Sequence, residues 1–218
     1  MSPLVNNDSI PAAKCCIIWL HGLGASAADM AMLAAQLNID QKLVRHIFLN
    51  APVRKVTLNN GLAMRAWYDI YGLKVTAGED SQGIVASSAL IIAAIKEQIS
   101  AGFSAQQIIL AGFSQGGAMA LYTAVQLDLA LGGVIALSAY IPLINQCKTP
   151  TSNNSAFFIA YGSKDDLVLP VWTIKAITWL QESGYDDITW REYNMGHSVC
   201  NTEIKDLRGW LLTKILYA

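Results

Sequence analysis

Apolar residues in this chain fall in short unbroken runs. CCIIWL at 15–20 and QIILAGF at 107–113 each lead into glycine-containing turns, and then into apolar positions spaced by three and four. An unbroken apolar run of strand length suits a strand buried on both faces, and the change of period suits a helix that packs back over it. The same pattern predicts strands at 46–52, 133–142, 155–163 and 187–193, and helices near 27–37, 82–100, 115–127, 170–183 and 202–216. Strands alternating with helices imply an α/β fold, with a mostly parallel central sheet covered by helices on both faces.

Two stretches break the rhythm. Residues 53–80 carry turn signals at Asn59, Asn60 and Gly61, at Gly72 and at Gly78, yet they hold Trp67, Tyr68 and Tyr71, whose rings are costly to leave in water. They are expected to form an excursion with a short strand over 66–70, folded over the sheet edge. Residues 145–155, NQCKTPTSNNS, are polar and rich in turn formers and read as an exposed connector. Neither marks a domain boundary. The expected organisation is an N-terminal extension over 1–14 and a single domain over 15–218, with no large lid domain.

Composition narrows the function classes. With 218 residues, 53% hydrophobic and 14% charged, the chain has enough apolar surface for one substantial core. A formal net charge of −1 leaves no basic field for collecting phosphates, which argues against nucleic acid as a partner. The apolar stretch 84–95 is interrupted by Ser87 and Ser88 and closed by Lys96 and Glu97, short of a membrane span. Residues 1–14 lack the basic and apolar regions of a signal peptide, so a soluble cytoplasmic protein is expected. Cys15, Cys16, Cys147 and Cys200 show no metal-ligand spacing, and Cys15 and Cys16, adjacent in a strand, face opposite ways. Buried free thiols are expected, with no disulfide framework and no metal site.

The chemistry centres on Gly112-Phe113-Ser114-Gln115-Gly116, a GxSxG pentapeptide at a strand-to-helix junction. In that context a sharp turn exposes the serine hydroxyl as a nucleophile, although a serine between glycines also has a plain reading as a tight turn. A hydroxyl needs a general base, a group that orients the base, and donors for the oxyanion. His197 lies in a short loop after the last strand and is the candidate base; His21 is read for its backbone and His46 as structural. The orienting acid is Asp165 or Asp166, since both follow the strand at 155–163 and so emerge at the edge of the sheet where Ser114 stands. Either gives the chain order serine, acid, histidine used by α/β hydrolases. The oxyanion donors are then the backbone N–H groups of Gln115, at a helix N-terminus, and of Leu23, in the loop after the first strand.

LHGLGAS at 20–26, RAWYDIYGL at 65–73, GFSQGGAMAL at 112–121, ALSAYIP at 136–142 and YNMGHSV at 193–199 together resemble the phospholipase/carboxylesterase family of α/β hydrolases, which includes bacterial carboxylesterases and acyl-protein thioesterases. The resemblance runs from about Cys15 to the last helix. It implies a serine hydrolase that cleaves esters or thioesters of acyl chains, lipids or S-acylated proteins among them, without metal or organic cofactor, as a monomer or homodimer. It singles out Asp165 as the acid, third after Gly162, and implies that the excursion from Trp67 to Leu73 helps line the acyl channel. Two departures from the family pattern, Ala139 for a usual glycine and Asn194 for a usual proline, are expected to bear on the pocket. The competing reading is a noncatalytic module holding a lipid or small ligand on the same fold; its usual mark is loss of a triad member, and none is missing here.

Overall fold

Residues 4–6, 13–72, 78–147 and 155–216 are described by a computed structural model. In chain order the elements are β1 (Leu4–Asn6), β2 (Cys15–Leu20), α1 (Ala27–Gln36), β3 (Val44–Leu49), β4 (Val53–Val56), β5 (Leu62–Arg65), α2 (Ser81–Ser100), β6 (Ile108–Phe113), α3 (Gln115–Gln126), β7 (Gly133–Leu137), β8 (Phe157–Gly162), α4 (Pro170–Glu182), β9 (Ile188–Tyr193) and α5 (Asn201–Leu216). One sheet runs in the order β1-β3-β2-β6-β7-β8-β9. All its neighbours are parallel except β1, which pairs antiparallel with β3 in the register Leu4↔Phe48.

Alternate residues of the unbroken apolar strands feed two separate cores. Cys16, Ile18 and Leu20 of β2 join Ile84 and Ile91 of α2, Met119 and Leu121 of α3, and Ile177 and Leu180 of α4. Cys15, Ile17 and Trp19 join Met30 and Leu33 of α1 and Leu207, Trp210 and Leu211 of α5. Helices α2, α3 and α4 therefore cover one face, and α1 and α5 the other. Burial of both faces is what a continuous apolar strand requires, and it supplies the main driving force for the fold. The four cysteines are free. Cys15 and Cys16 face opposite cores, and burial pushes both thiols up to about 12. Helix α2 is long and apolar enough, by length and composition alone, to cross a membrane; here its Ile84, Ile91 and Ile95 are buried in the core.

Several expectations are revised. Residues 4–6, placed in an extension, add an edge strand to the sheet. The strand foreseen over 66–70 does not form. Instead β4 and β5 make a separate antiparallel hairpin, Val53↔Arg65 to Val56↔Leu62, because Asn60 (φ 54) and Gly61 (φ 76) both take left-handed backbone and turn the chain earlier. The strand at 133–142 ends at Leu137, where Ser138 adopts φ 49. The remaining strands and all five helices fall within a few residues of the pattern. Part of the excursion, 73–77 including Leu73, and part of the connector, 148–154, lie outside the described residues.

Candidate active site

Strand β6 hands over to α3 in a single residue. Ser114 has φ 55 and ψ −122, a left-handed backbone that a serine adopts at a cost of about 1–3 kcal/mol. Its N–H donates to Leu137 O at 2.8 Å, which fixes the turn against β7. The glycines on either side are required by close approach. A Cβ on Gly112 would stand 2.3 Å from the Gly116 carbonyl, and one on Gly116 would stand 2.1 Å from Leu20 O of β2. The sharp turn thus presses α3 onto two strands and leaves the Ser114 side chain at the carboxyl edge of the sheet.

The other two groups arrive from neighbouring strands. Asp165 follows β8, and its carboxylate is fully buried. Oδ1 accepts the N–H groups of Leu167 (3.0 Å) and Val168 (2.9 Å), while Oδ2 stands 2.7 Å from His197 Nδ1. His197 follows β9, and its Nε2 stands 2.8 Å from Ser114 Oγ. The two supporting loops are laced together: Ser163 N–H donates to Tyr193 O (2.8 Å) and Lys164 N–H to Met195 O (3.0 Å). Gly162 permits this, since a Cβ there would meet Met195 O at 2.3 Å. Phe113 packs against the imidazole, centroids 4.9 Å apart. The result is a hydroxyl, an imidazole and a carboxylate in hydrogen-bonded series, with the carboxylate favouring a proton on Nδ1 and so leaving Nε2 to accept a hydrogen bond from the serine hydroxyl. Asp166, the other candidate acid, is exposed.

The loop after β2 brings Leu23 to the same edge. Among the described residues its N–H has no backbone acceptor. What aims it is the ring of His21, a role that the sequence does not reveal. Ala51 N–H donates to His21 Nε2 at 3.0 Å, so the ring proton lies on Nδ1, which donates to Gly22 O at 2.7 Å. Gly22 C=O and Leu23 N–H belong to one planar peptide unit and point in opposite directions, so holding the carbonyl sets the direction of the N–H. Burial lowers the His21 pKa, which preserves that neutral tautomer. The third histidine is structural: His46 accepts from Trp19 Nε1 at 2.9 Å.

Trp67, foreseen as a channel residue, is 1% exposed. Its indole N–H donates to His21 O at 2.9 Å and its ring lies 5.5 Å from the His21 ring, so it supports the loop after β2 and offers no free surface. Ala139, foreseen as bearing on the pocket, turns its methyl toward α3, where a Cβ on Gly117 would come within 2.7 Å of it. Asn194 is exposed. Among the described residues no group of three or more His, Cys, Asp or Glu side chains is placed to hold a metal ion.

Residues 3–215 match the phospholipase/carboxylesterase family. The acyl-protein thioesterase 1 of Yarrowia lipolytica is 34% identical over 96% of each chain. That of Saccharomyces cerevisiae is 35% identical over 93% of each. Among solved structures, acyl-protein thioesterase 2 of Zea mays superposes with a TM-score of 0.85 at 25% identity, over 98% of this chain and 99% of that one. SOBER1 of Arabidopsis thaliana gives 0.84 at 28% identity, over 92% and 99%. The nearly complete coverage by sequence and by fold leads to one conclusion: the chain belongs to the phospholipase/carboxylesterase family of α/β hydrolases and is a serine hydrolase.

Proposed function

We propose that the protein hydrolyses carboxylic esters or thioesters of acyl chains by a two-step acyl transfer, with Ser114 as nucleophile, His197 as general base and acid, and Asp165 as the group that orients the imidazole. The observation that carries the reading is the unbroken series Ser114 Oγ, His197 Nε2, His197 Nδ1, Asp165 Oδ2, with contacts of 2.8 and 2.7 Å. As the Ser114 oxygen attacks the acyl carbon, its proton passes to Nε2. The tetrahedral oxyanion is received by the Leu23 and Gln115 N–H groups, the latter at the positive end of α3. Collapse breaks the bond to the alcohol or thiol, which leaves with the Nε2 proton and yields an acyl-Ser114 ester. Water then gives a proton to the same nitrogen, attacks the acyl carbon, and releases the carboxylic acid and the free serine.

Every group in this scheme is a side chain or backbone amide of one chain, so it needs neither metal nor cofactor, and either a monomer or a homodimer would serve. The relatives named acyl-protein thioesterases support S-acylated proteins, or lipids carrying similar acyl chains, as the substrate class. Four free cysteines support a reducing compartment such as the cytoplasm.

Ser114→Ala keeps the fold and removes the nucleophile. With a short p-nitrophenyl ester, turnover should fall by several orders of magnitude; in subtilisin the corresponding loss is about a millionfold. A fluorophosphonate should label the native protein on Ser114 and leave the variant unlabelled. Retained turnover in Ser114→Ala, or no adduct on Ser114 in the native protein, overturns the mechanism, and the second result would favour a noncatalytic ligand-binding module.

A further inference from the structure

The proposed oxyanion donors sit on two different elements: Leu23 N–H on the loop after β2, and Gln115 N–H on the first turn of α3. They act together only if their separation is fixed. One hydrogen-bonded chain of buried groups runs between them. The side chain of Gln115, a residue only 3% exposed, takes Trp67 N–H on Oε1 at 2.9 Å and gives Nε2–H to Tyr68 O at 2.8 Å. The carboxamide thereby does for residues 67–68 what a partner strand would do, satisfying one N–H and one C=O of a segment that has no ladder. Ser87 Oγ of α2 donates to Trp67 O and holds the same residue from behind. From Trp67 the chain passes through the indole N–H to His21 O, 2.9 Å away. That carbonyl immediately precedes the Gly22–Leu23 peptide whose N–H is the first donor.

Building on the proposed mechanism, we infer that the Gln115 carboxamide and the Trp67 indole form a brace that fixes the spacing of the Leu23 and Gln115 N–H donors, so that both are positioning residues for the oxyanion. Gln115 then has two separable functions, its backbone N–H as donor and its side chain as one end of the brace. Substitution of the side chain leaves the backbone donor in place, and only the spacing is lost. A displacement of about 1 Å at a reacting centre costs about a hundredfold, so a loosened brace should cost about ten- to a hundredfold in kcat. The ground-state carbonyl gains little from the donors, so KM should stay nearly constant.

The experiment compares Gln115→Met, Trp67→Phe and the double variant, each full-length, with kcat and KM for a p-nitrophenyl ester measured beside thermal stability. Gln115→Met keeps length and apolar volume; Trp67→Phe keeps a ring and removes the N–H. Each single variant should lose about ten- to a hundredfold in kcat with KM changed by less than about threefold. The double variant should be little worse than the worse single, since cutting a chain twice does what one cut does. Should Gln115→Met fail to fold, Trp67→Phe alone carries the kcat test. Wild-type kcat with lowered melting temperature would show packing and overturn the brace, as would losses that multiply in the double variant. Those results would leave the nucleophile assignment intact, because that stands or falls with Ser114→Ala.

Discussion

Asp165 leaves no carboxylate oxygen unused. Oδ1 accepts two backbone N–H groups and Oδ2 faces the imidazole nitrogen, all within 3.0 Å. The Leu167 and Val168 N–H groups can only donate, so whatever replaces Asp165 must keep an acceptor toward them. In Asp165→Asn the amide oxygen would turn that way and the NH2 would face His197 Nδ1. A donor there forces the proton onto Nε2, the tautomer that cannot accept from Ser114. Turnover with a p-nitrophenyl ester should therefore fall by about 10⁴-fold, the size of the same change in trypsin, with little change in melting temperature. A loss under about tenfold would show that the tautomer is not controlled by this carboxylate. The same accounting explains why His21, fully buried at the edge of the sheet, is no rival base. Its Nε2 is already taken by the Ala51 N–H, and burial lowers its pKa.

At the scale of elements, the turn from β6 into α3 leaves no space for a methyl on either flank. In Gly116→Ala the new Cβ would lie 2.1 Å from Leu20 O, a backbone atom at the carboxyl end of the interior strand β2, so the helix must move off the strand or the turn must open. Either ruins the packing between α3 and the sheet and places the substitution among the most damaging single changes, above about 4 kcal/mol. Gly209→Ala is the opposite case. Gly209 lies on the exposed side of α5, and a methyl added there would have nothing within 4 Å, so the change should gain about 0.4–1 kcal/mol from helix propensity alone. Urea unfolding of the two variants beside the native chain checks both signs, and a stable Gly116→Ala would contradict the account of the turn. These two glycines also show what is legible in the sequence. GFSQGG reveals the elbow because a short-range steric demand writes itself in neighbouring residues. Unbroken apolar runs reveal the sheet because burial on both faces admits little else. The β4–β5 hairpin escapes the pattern, although Asn60-Gly61 marks its turn, because the aromatic cluster at 67–71 looks more like a strand than the mixed residues around the turn. The brace is invisible because it joins residues 48 apart through a side chain that mimics a backbone. No local pattern records such a contact. The ring of His21 is hidden for the same reason, its partner Ala51 lying 30 residues away.

The stability of the whole molecule against pH depends on buried groups that pull in opposite directions. Burial pushes His46 from 6.5 down to about 4. Between those values the unfolded chain binds a proton that the folded chain refuses, so the contribution is present above pH 6.5 and is lost as pH falls toward 4. His21 acts in the same direction. Glu203, on the first turn of α5, acts the other way. It is fully buried, Oε2 accepts the Cys200 N–H at 3.4 Å, Oε1 has no partner among the described residues, and burial raises its carboxyl from 4.5 to about 7. The folded chain there holds a proton that the unfolded chain has released, so this contribution is complete below pH 4.5 and is lost as pH climbs through 7. The nearby Tyr193 hydroxyl, donating to Asp206, is raised and stays protonated throughout. At about 1.4 kcal/mol per pH unit, His46 and Glu203 each carry about 3–4 kcal/mol and largely offset one another from about pH 4.5 to 6.5. Glu203→Gln has the shape and hydrogen-bonding capacity of the protonated acid without its titration. The variant should match the native chain at about pH 4 and exceed it at about pH 8 by about 3 kcal/mol, while its own stability falls steeply on acidification because the histidine contributions are no longer offset. Urea midpoints at the two pH values read this directly, and a variant displaced by the same amount at both would mean that residue 203 carries no buried proton.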